Sequence, residues 1–275
     1  MRREEIKQAV KDRYGRVAAA AAGSCCGGGG SAEALSRKVG YSQRELDAVP
    51  QGATLGLGCG NPVALASLRE DEVVIDLGSG GGLDCFLAAA RVGKAGRVIG
   101  VDMTPEMIDK ARANARRGGY DNVEFRLGEI EDLPVADGSA DAVISNCVVN
   151  LVPDKPRAFR EAFRVLKPGG RLMISDIVLL RDLPPSVKSS LDAYVGCVAG
   201  AMTRSDYLAA IEGAGFHEIE VVGEAPFGAD CLLNDPAAAA VVERLSLTRD
   251  ETERLARSVV SIKVSAVKPS GGLGS

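Results

Sequence analysis

An α/β fold built on a mostly parallel, doubly wound sheet is predicted by three features of the 275-residue sequence. β-Branched runs alternate with helical patterns through the middle of the chain, which places crossover helices between neighbouring parallel strands. The first such run, Val74-Ile75-Asp76-Leu77, ends in the glycine loop Gly78-Ser79-Gly80-Gly81-Gly82. A second run, Arg97-Val98-Ile99-Gly100-Val101-Asp102, follows and ends in a carboxylate. A glycine turn with an acid about twenty residues further on is how a chain of this class holds a nucleotide cofactor, the acid accepting from ribose hydroxyls.

The elements can be assigned in order. Met1 to Arg16 places Ile6, Val10 and Tyr14 at helical spacing and reads as an amphipathic surface helix. Gly27 to Ser31 reads as a flexible link. The loop Leu57-Gly58-Cys59-Gly60-Asn61-Pro62 has glycines but no acid ahead of them, and a proline where a strand-to-helix turn would continue. Cys59 is therefore expected outside the cofactor turn, on a segment packed against the edge of the domain. Strands are expected at Glu72 to Leu77, Arg97 to Asp102, Val123 to Leu127, Asp141 to Cys147, Arg171 to Val178, Glu218 to Val222 and Val259 to Val267. Helices are expected at Leu83 to Val92, at Pro105 to Arg117 with Thr104 as N-cap, and at Asp154 to Leu166. Lys167-Pro168-Gly169-Gly170 is expected to end the last of these before the fifth strand. The chain then divides into an N-terminal cap at 1–70, a cofactor-binding core at 71–180, and an insertion with closing strands at 181–275.

Composition narrows the function. Thirty-seven acidic against 33 basic residues leave a net charge of −4, without the basic face that phosphate backbones require, so nucleic acid is not an expected partner. The Ala18 to Ala22 run is too short and too weakly apolar for a secretory segment, and no run reaches membrane-spanning length. A cytoplasmic location is expected, with no membrane partner. Seven cysteines in a reducing compartment point to metal or redox chemistry rather than to structural disulfides.

The acid two residues before the first glycine is informative about the cofactor. Asp76 would repel a pyrophosphate but suits a ligand with a cationic, amine-bearing tail. Asp-x-Gly-x-Gly-x-Gly resembles motif I of class I S-adenosylmethionine-dependent methyltransferases, and Asp102 matches their ribose-binding acid. The Lys167–Gly170 turn recurs in that class, and the last two strands resemble the antiparallel hairpin that closes its seven-stranded, Rossmann-like sheet. The resemblance implies S-adenosyl-L-methionine as methyl donor, with Asp76, Gly78, Ser79 and Gly80 at the methionine end and Asp102 on the ribose. It implies Met103 on the adenine face, the Ile130 backbone and the Glu131 side chain nearby, and Tyr14 and Asn146 completing the set. Glu129 and Asp132 read equally well as solvated charges.

In open α/β sheets ligands sit beyond the carboxyl ends of the strands. Cys147 ends the fourth strand, Cys197 lies beyond the fifth and Cys59 precedes the first, so all three can reach one mouth. None has the local spacing of a zinc ribbon. Cys85 and Cys231 read as small buried hydrophobes, whereas packing explains Cys59 poorly because glycines flank it. The chain resembles the arsenite methyltransferase family from Tyr14-Gly15 to Ser261-Ile262-Lys263-Val264. The markers are Leu57-Gly58-Cys59-Gly60-Asn61-Pro62, Ser145-Asn146-Cys147-Val148-Val149-Asn150-Leu151, and Cys197.

That resemblance implies that Cys59, Cys147 and Cys197 are thiolate ligands of trivalent arsenic, and that Cys25 and Cys26 serve thiol exchange. Adjacent cysteines join poorly to each other, so one of the pair is expected to bridge transiently to a distant cysteine such as Cys59. The implied substrates are arsenite and methylated trivalent arsenicals as thiol conjugates, with glutathione or thioredoxin as reductant, in arsenic detoxification. The only histidine, His217, is expected at a strand edge, and no general base is needed because the arsenic nucleophile loses no proton. Two other readings stand beside this one: a C- or O-methyltransferase for a small quinone or sterol precursor, and a non-catalytic thiol protein that sequesters or senses metalloids.

Overall fold

The computed structural model describes residues 2–19, 32–58, 67–188, 199–226 and 248–271, with Tyr194, Cys197 and Glu243. Cys25, Cys26, Cys59 and Cys231 lie outside the described residues.

Before the sheet come helices α1 (Arg3–Ala19), α2 (Ala32–Lys38) and α3 (Gln43–Asp47). Ile6 and Val10 of α1 are buried, as their spacing predicts. A capping box starts α3: the Ser42 hydroxyl accepts from the Glu45 amide while the Glu45 carboxylate accepts from the Ser42 amide, which satisfies two donors that the first turn leaves open.

The core alternates strand and helix through β1 (Val73–Leu77), α4 (Leu83–Val92), β2 (Arg97–Asp102), α5 (Pro105–Gly118), β3 (Val123–Leu127), β4 (Ala140–Asn146), α6 (Lys155–Val165) and β5 (Leu166–Leu179). The short α7 (Pro185–Lys188), then α8 (Arg204–Gly213), β6 (His217–Pro226), α9 (Arg249–Ala256) and β7 (Val259–Val267) follow. The seven strands form one sheet in the order β3-β2-β1-β4-β5-β7-β6. β7 is antiparallel to both β5 and β6, and the remaining pairs are parallel. This is the α/β class expected from the sequence, with the closing hairpin in place.

Most boundaries fall within a residue or two of expectation, and the departures have local causes. Thr104 stands at the N-cap of α5, but its hydroxyl makes no cap bond. Asp154 does cap α6, its carboxylate accepting from the Arg157 amide at 3.1 Å. Lys167-Pro168-Gly169-Gly170 does not separate helix from strand, because β5 already begins at Leu166. The four residues are taken up by a slip in register, in which Ala140 pairs with Leu166 and Ala142 with Arg171. Bonds from Gly169 N–H to the Lys268 carbonyl and from Lys268 N–H to the Gly170 carbonyl hold the slipped segment.

The two faces of the sheet bury two apolar clusters, one around Ile75, Phe159 and Tyr207, the other around Val74, Phe86 and Ile144. A third cluster gathers Ile6 and Val10 of α1 with Cys147, Ile177, Tyr194, Cys197 and Val259. For function the decisive fact is that β1 pairs with both β2 and β4, so the chain reverses its direction of travel across the sheet at β1. Clefts form at such a switch point.

Candidate functional site

A cavity of about 280 Å³ opens where β1 and β4 end. Asp76 pairs with Gly100 on one side and Ile144 on the other, so the acid lies centrally in the sheet. The chain then turns at Gly78 with φ +70°, where a Cβ would come within 2.3 Å of the Val148 side chain. Only glycine lets the turn pass that close to the residue following Cys147.

All twelve described residues expected at the site line this cavity. On the sheet side they are Asp76, Gly78, Ser79, Gly80, Asp102 and Met103; on the facing side, Tyr14, Ile130, Glu131, Asn146, Cys147 and Cys197. The Asp102 carboxylate accepts from Gly80 N–H at 3.0 Å and from Thr104 N–H at 2.8 Å, which ties the glycine loop to the end of β2. Burial pushes the Asp102 carboxyl above the usual range against these bonds. Asp76 is deeper. Burial, then the neighbouring Asp84, push its carboxyl well above the ordinary carboxylate range, and among the described residues its one side-chain donor is the thiol of Cys85 at 3.2 Å. Cys85 is thus more than the buried hydrophobe expected of it. The Ser79 hydroxyl is buried with no hydrogen-bond partner among the described residues.

Cys147 and Cys197 meet in the same cavity. The Cys197 sulfur lies 3.7 Å from the Cys147 carbonyl oxygen, and both residues are buried in left-handed backbone, φ +61° and +67°. Side chains rarely adopt that conformation, which costs roughly 1–3 kcal/mol and persists where the surroundings over-determine it. Cys197 is in the thiol form, and Cys147 is disulfide-bonded. Among the described residues no cluster of three His, Cys, Asp or Glu groups suits a metal ion. His217 is exposed at the start of β6, away from this cavity.

Several contributors carried no sequence signal. The loop that begins at Leu57 was expected against the domain edge, but its described residues Leu57 and Gly58 line the cavity, together with Ala53, Leu55 and Gly56 just ahead of it. The Ala53 carbonyl passes so close to Gly81 that a Cβ there would sit 2.8 Å away. Nor is α1 a plain surface helix, since Lys7, Val10, Arg13 and Tyr14 face the cavity. Lys7 Nζ reaches Glu129 at 2.6 Å and Glu131 at 2.8 Å, and Glu131 also accepts from the Asp154 amide at 3.2 Å. Burial acts to lower the Lys7 pKa, but the two carboxylates outweigh it and the net shift is upward. Of the two acids open to either reading, Glu129 is ion-paired and Asp132 is exposed. Near Cys197, Lys155 is buried, donates to the Val152 carbonyl at 2.9 Å and lies over the Tyr194 ring at 5.6 Å; burial brings its pKa down to about 8.

Comparison with known proteins places this geometry. The family described as "Methyltransferase domain" matches residues 68–215. An arsenite methyltransferase of Halobacterium salinarum is 49% identical over 223 residues, covering 78% of this chain and 57% of the relative. One from Aquipseudomonas alcaligenes is 41% identical over 184 residues, covering 64% and 53%. The chain spans about half the length of these curated relatives. Among solved structures it is similar to CrArsM, an arsenic(III) S-adenosylmethionine methyltransferase from Chlamydomonas reinhardtii, with a TM-score of 0.63 and 31% identity over 87% of this chain and 75% of that one.

Proposed function

The chain belongs to the arsenite methyltransferase family of methyltransferase-domain proteins, and from that membership we propose that it transfers methyl groups from S-adenosylmethionine to thiolate-bound trivalent arsenic. The observation that carries the reading is that Cys147 and Cys197 share one cavity with Asp76, Asp102 and the glycine loop.

The cavity's donor set suits the methyl donor. Asp76, with only a thiol as side-chain donor among the described residues, is stabilised by a cation, and the Ser79 hydroxyl, buried without a partner among them, suits a carboxylate. Asp102, at the end of β2, is in position for ribose hydroxyls. When bound, S-adenosylmethionine supplies an electrophilic methyl on a cationic sulfur. Cys197, Cys147 once its disulfide is reduced, and Cys59, next in the chain to cavity-lining Gly58, offer soft thiolates, the ligands that soft trivalent arsenic prefers. Three such ligands leave its lone pair exposed to an electrophile. No side chain has to take a proton from this nucleophile, which agrees with the position of His217. Alignment of the two reactants supplies the rate, an effect worth roughly 7–11 kcal/mol.

Each methyl transfer uses two electrons of arsenic, and recovering the trivalent state oxidises two thiols to a disulfide. Cys25 and Cys26 are the proposed exchange partners, and glutathione or thioredoxin the reductant that restores the thiols. This chemistry belongs to the cytoplasm, where such reductants keep cysteines reduced. Among the described residues, no helix is long and apolar enough to cross a membrane.

Incubating the protein with S-adenosylmethionine, arsenite and thiol should yield S-adenosylhomocysteine and methylated arsenic in step. Cys197→Ser should abolish both products while leaving S-adenosylhomocysteine binding by calorimetry unchanged, because a hydroxyl is a hard, poor ligand for arsenic. Methylation at the wild-type rate by that variant would overturn the assignment.

A further inference from the structure

Cys147 holds a backbone conformation that its own side chain disfavours, and a closed ring of hydrogen bonds adjoins it. The Tyr41 hydroxyl donates to Asp84 Oδ1 at 2.7 Å. Asn146 Nδ2 donates to the Tyr41 oxygen at 2.8 Å and to Asp84 Oδ2 at 3.3 Å. Tyr41 and Asp84 are buried, and all three residues line the cavity. The ring joins three distant stretches of chain: the segment ahead of α3, the first turn of α4 behind the glycine loop, and the last residue of β4. Backbone packs against it too, since a Cβ on Gly58, where φ is +121°, would come within 2.9 Å of Asn146 Nδ2.

We propose that Tyr41, Asp84 and Asn146 form a positioning unit that holds Cys147 in its left-handed conformation and thereby aligns its sulfur with the methyl donor. Cys147 is fixed on one side by its own N–H, which donates to the Ser175 carbonyl at 2.8 Å and extends the β4–β5 pairing by a residue. The ring fixes the residue before it. Both Nδ2 hydrogens of Asn146 are committed, so the amide cannot turn over without losing two bonds. A strained residue needs restraint on both sides, and β4 pairing alone ends at Asn146. Because Asp84 lies in the first turn of the helix that follows the glycine loop, the same ring sets the distance between cofactor loop and sulfur. None of the three is a ligand of arsenic in this scheme.

The inference rests on the proposed arsenic chemistry for its kinetic test, and a second measurement is independent of that chemistry. Tyr41→Phe keeps the ring's shape and removes one donor and one acceptor. With arsenite and S-adenosylmethionine both saturating, kcat should fall by about tenfold to a hundredfold, the scale of a misplacement near 1 Å. Affinity for S-adenosylhomocysteine, measured by calorimetry, should stay within about twofold of wild type. A purely structural role would lower the melting temperature and leave kcat of the folded fraction untouched. In reduced protein freed of reductant, the rate at which iodoacetamide alkylates Cys147, followed by mass spectrometry, should change by about threefold or more, since access and local field set thiol reactivity. If wild type fails to methylate arsenite, the functional reading falls and the alkylation rate alone decides the role of the ring. If wild type turns over and Tyr41→Phe matches its kcat, or if Cys147 reacts at the same rate in both proteins, the ring is not a positioning unit.

Discussion

Asp176 shows how strongly this interior acts on single charges. It lies in β5, fully buried, with Oδ1 accepting from Asn150 Nδ2 at 2.8 Å and from the Ile177 amide at 2.9 Å, and Oδ2 accepting from the Tyr207 hydroxyl at 3.2 Å. Burial nevertheless raises its pKa to about 7. In the unfolded chain the group ionises near the ordinary value of about 3.9. Between those values the folded form holds the extra proton, so the contribution of Asp176 to stability falls as pH rises from about 4 to about 7. Asp176→Asn can keep three bonds, its amide oxygen taking the first two donors and its NH₂ donating to Tyr207. The melting temperature of this variant relative to wild type should therefore increase between pH 5 and pH 7.5 in thermal scans, and a constant difference would contradict the sign. Such residues also mark what a sequence conceals. Asp76, Gly78 and Asp102 were legible because strand, turn and acid follow one another along the chain. Tyr41 was not, because its partners lie 43 and 105 positions away. Asp84 was not read either, since an acid in the first turn of a helix is common and only the fold brings it to Tyr41.

At the scale of elements, α1 was legible as a helix but not as a wall of the site. Its apolar spacing says which face is buried and not what that face covers. The pairing of Lys7 with Glu129 and Glu131, and of Arg3 with Asp154 at 3.3 Å, holds α1 across the exit of β3 and the start of α6. Glu131, expected beside adenine, is one of the acids that Lys7 pairs with, and Ile130 lies between the two acids in sequence. Lys7 and Glu131 are largely shielded from solvent, so breaking the pair costs more than the ~0–1 kcal/mol of an exposed bridge. Lys7→Gln should speed S-adenosylhomocysteine dissociation by about tenfold, or ~1.4 kcal/mol, in stopped-flow displacement. The effect should shrink at high ionic strength, because screening weakens the same contact in wild type. Equal off-rates in the two proteins would make α1 a passive cover. The Lys167–Gly170 segment illustrates the opposite failure of reading: proline and glycine correctly mark an irregularity, but only pairing with β4 and with the end of β7 decides that the irregularity is a slip within a strand.

At the scale of the whole molecule, the sheet order and its antiparallel closing hairpin were legible because strand and helix periods alternate cleanly from Val73 to Leu179. The insertion that carries Cys197 was legible only as an interruption, since no period governs it. The three apolar clusters divide the protein in a related way. Two flank the sheet and draw their members mainly from its strands and crossover helices, whereas the third, around Cys147 and Cys197, joins α1, the end of β5 and the region of α9. Elements held by fewer long-range strand pairings open at lower free energy than the sheet they rest on. On heating, methyl transfer should therefore be lost at a lower temperature than the far-ultraviolet circular dichroism of the sheet. Amide exchange should be faster in α1 than in β1, β4 and β5, and coincident loss of activity and sheet signal would refute the separation. The sulfur end of the cavity would then behave as a fuse, failing and resetting on cooling while the scaffold behind it stays intact.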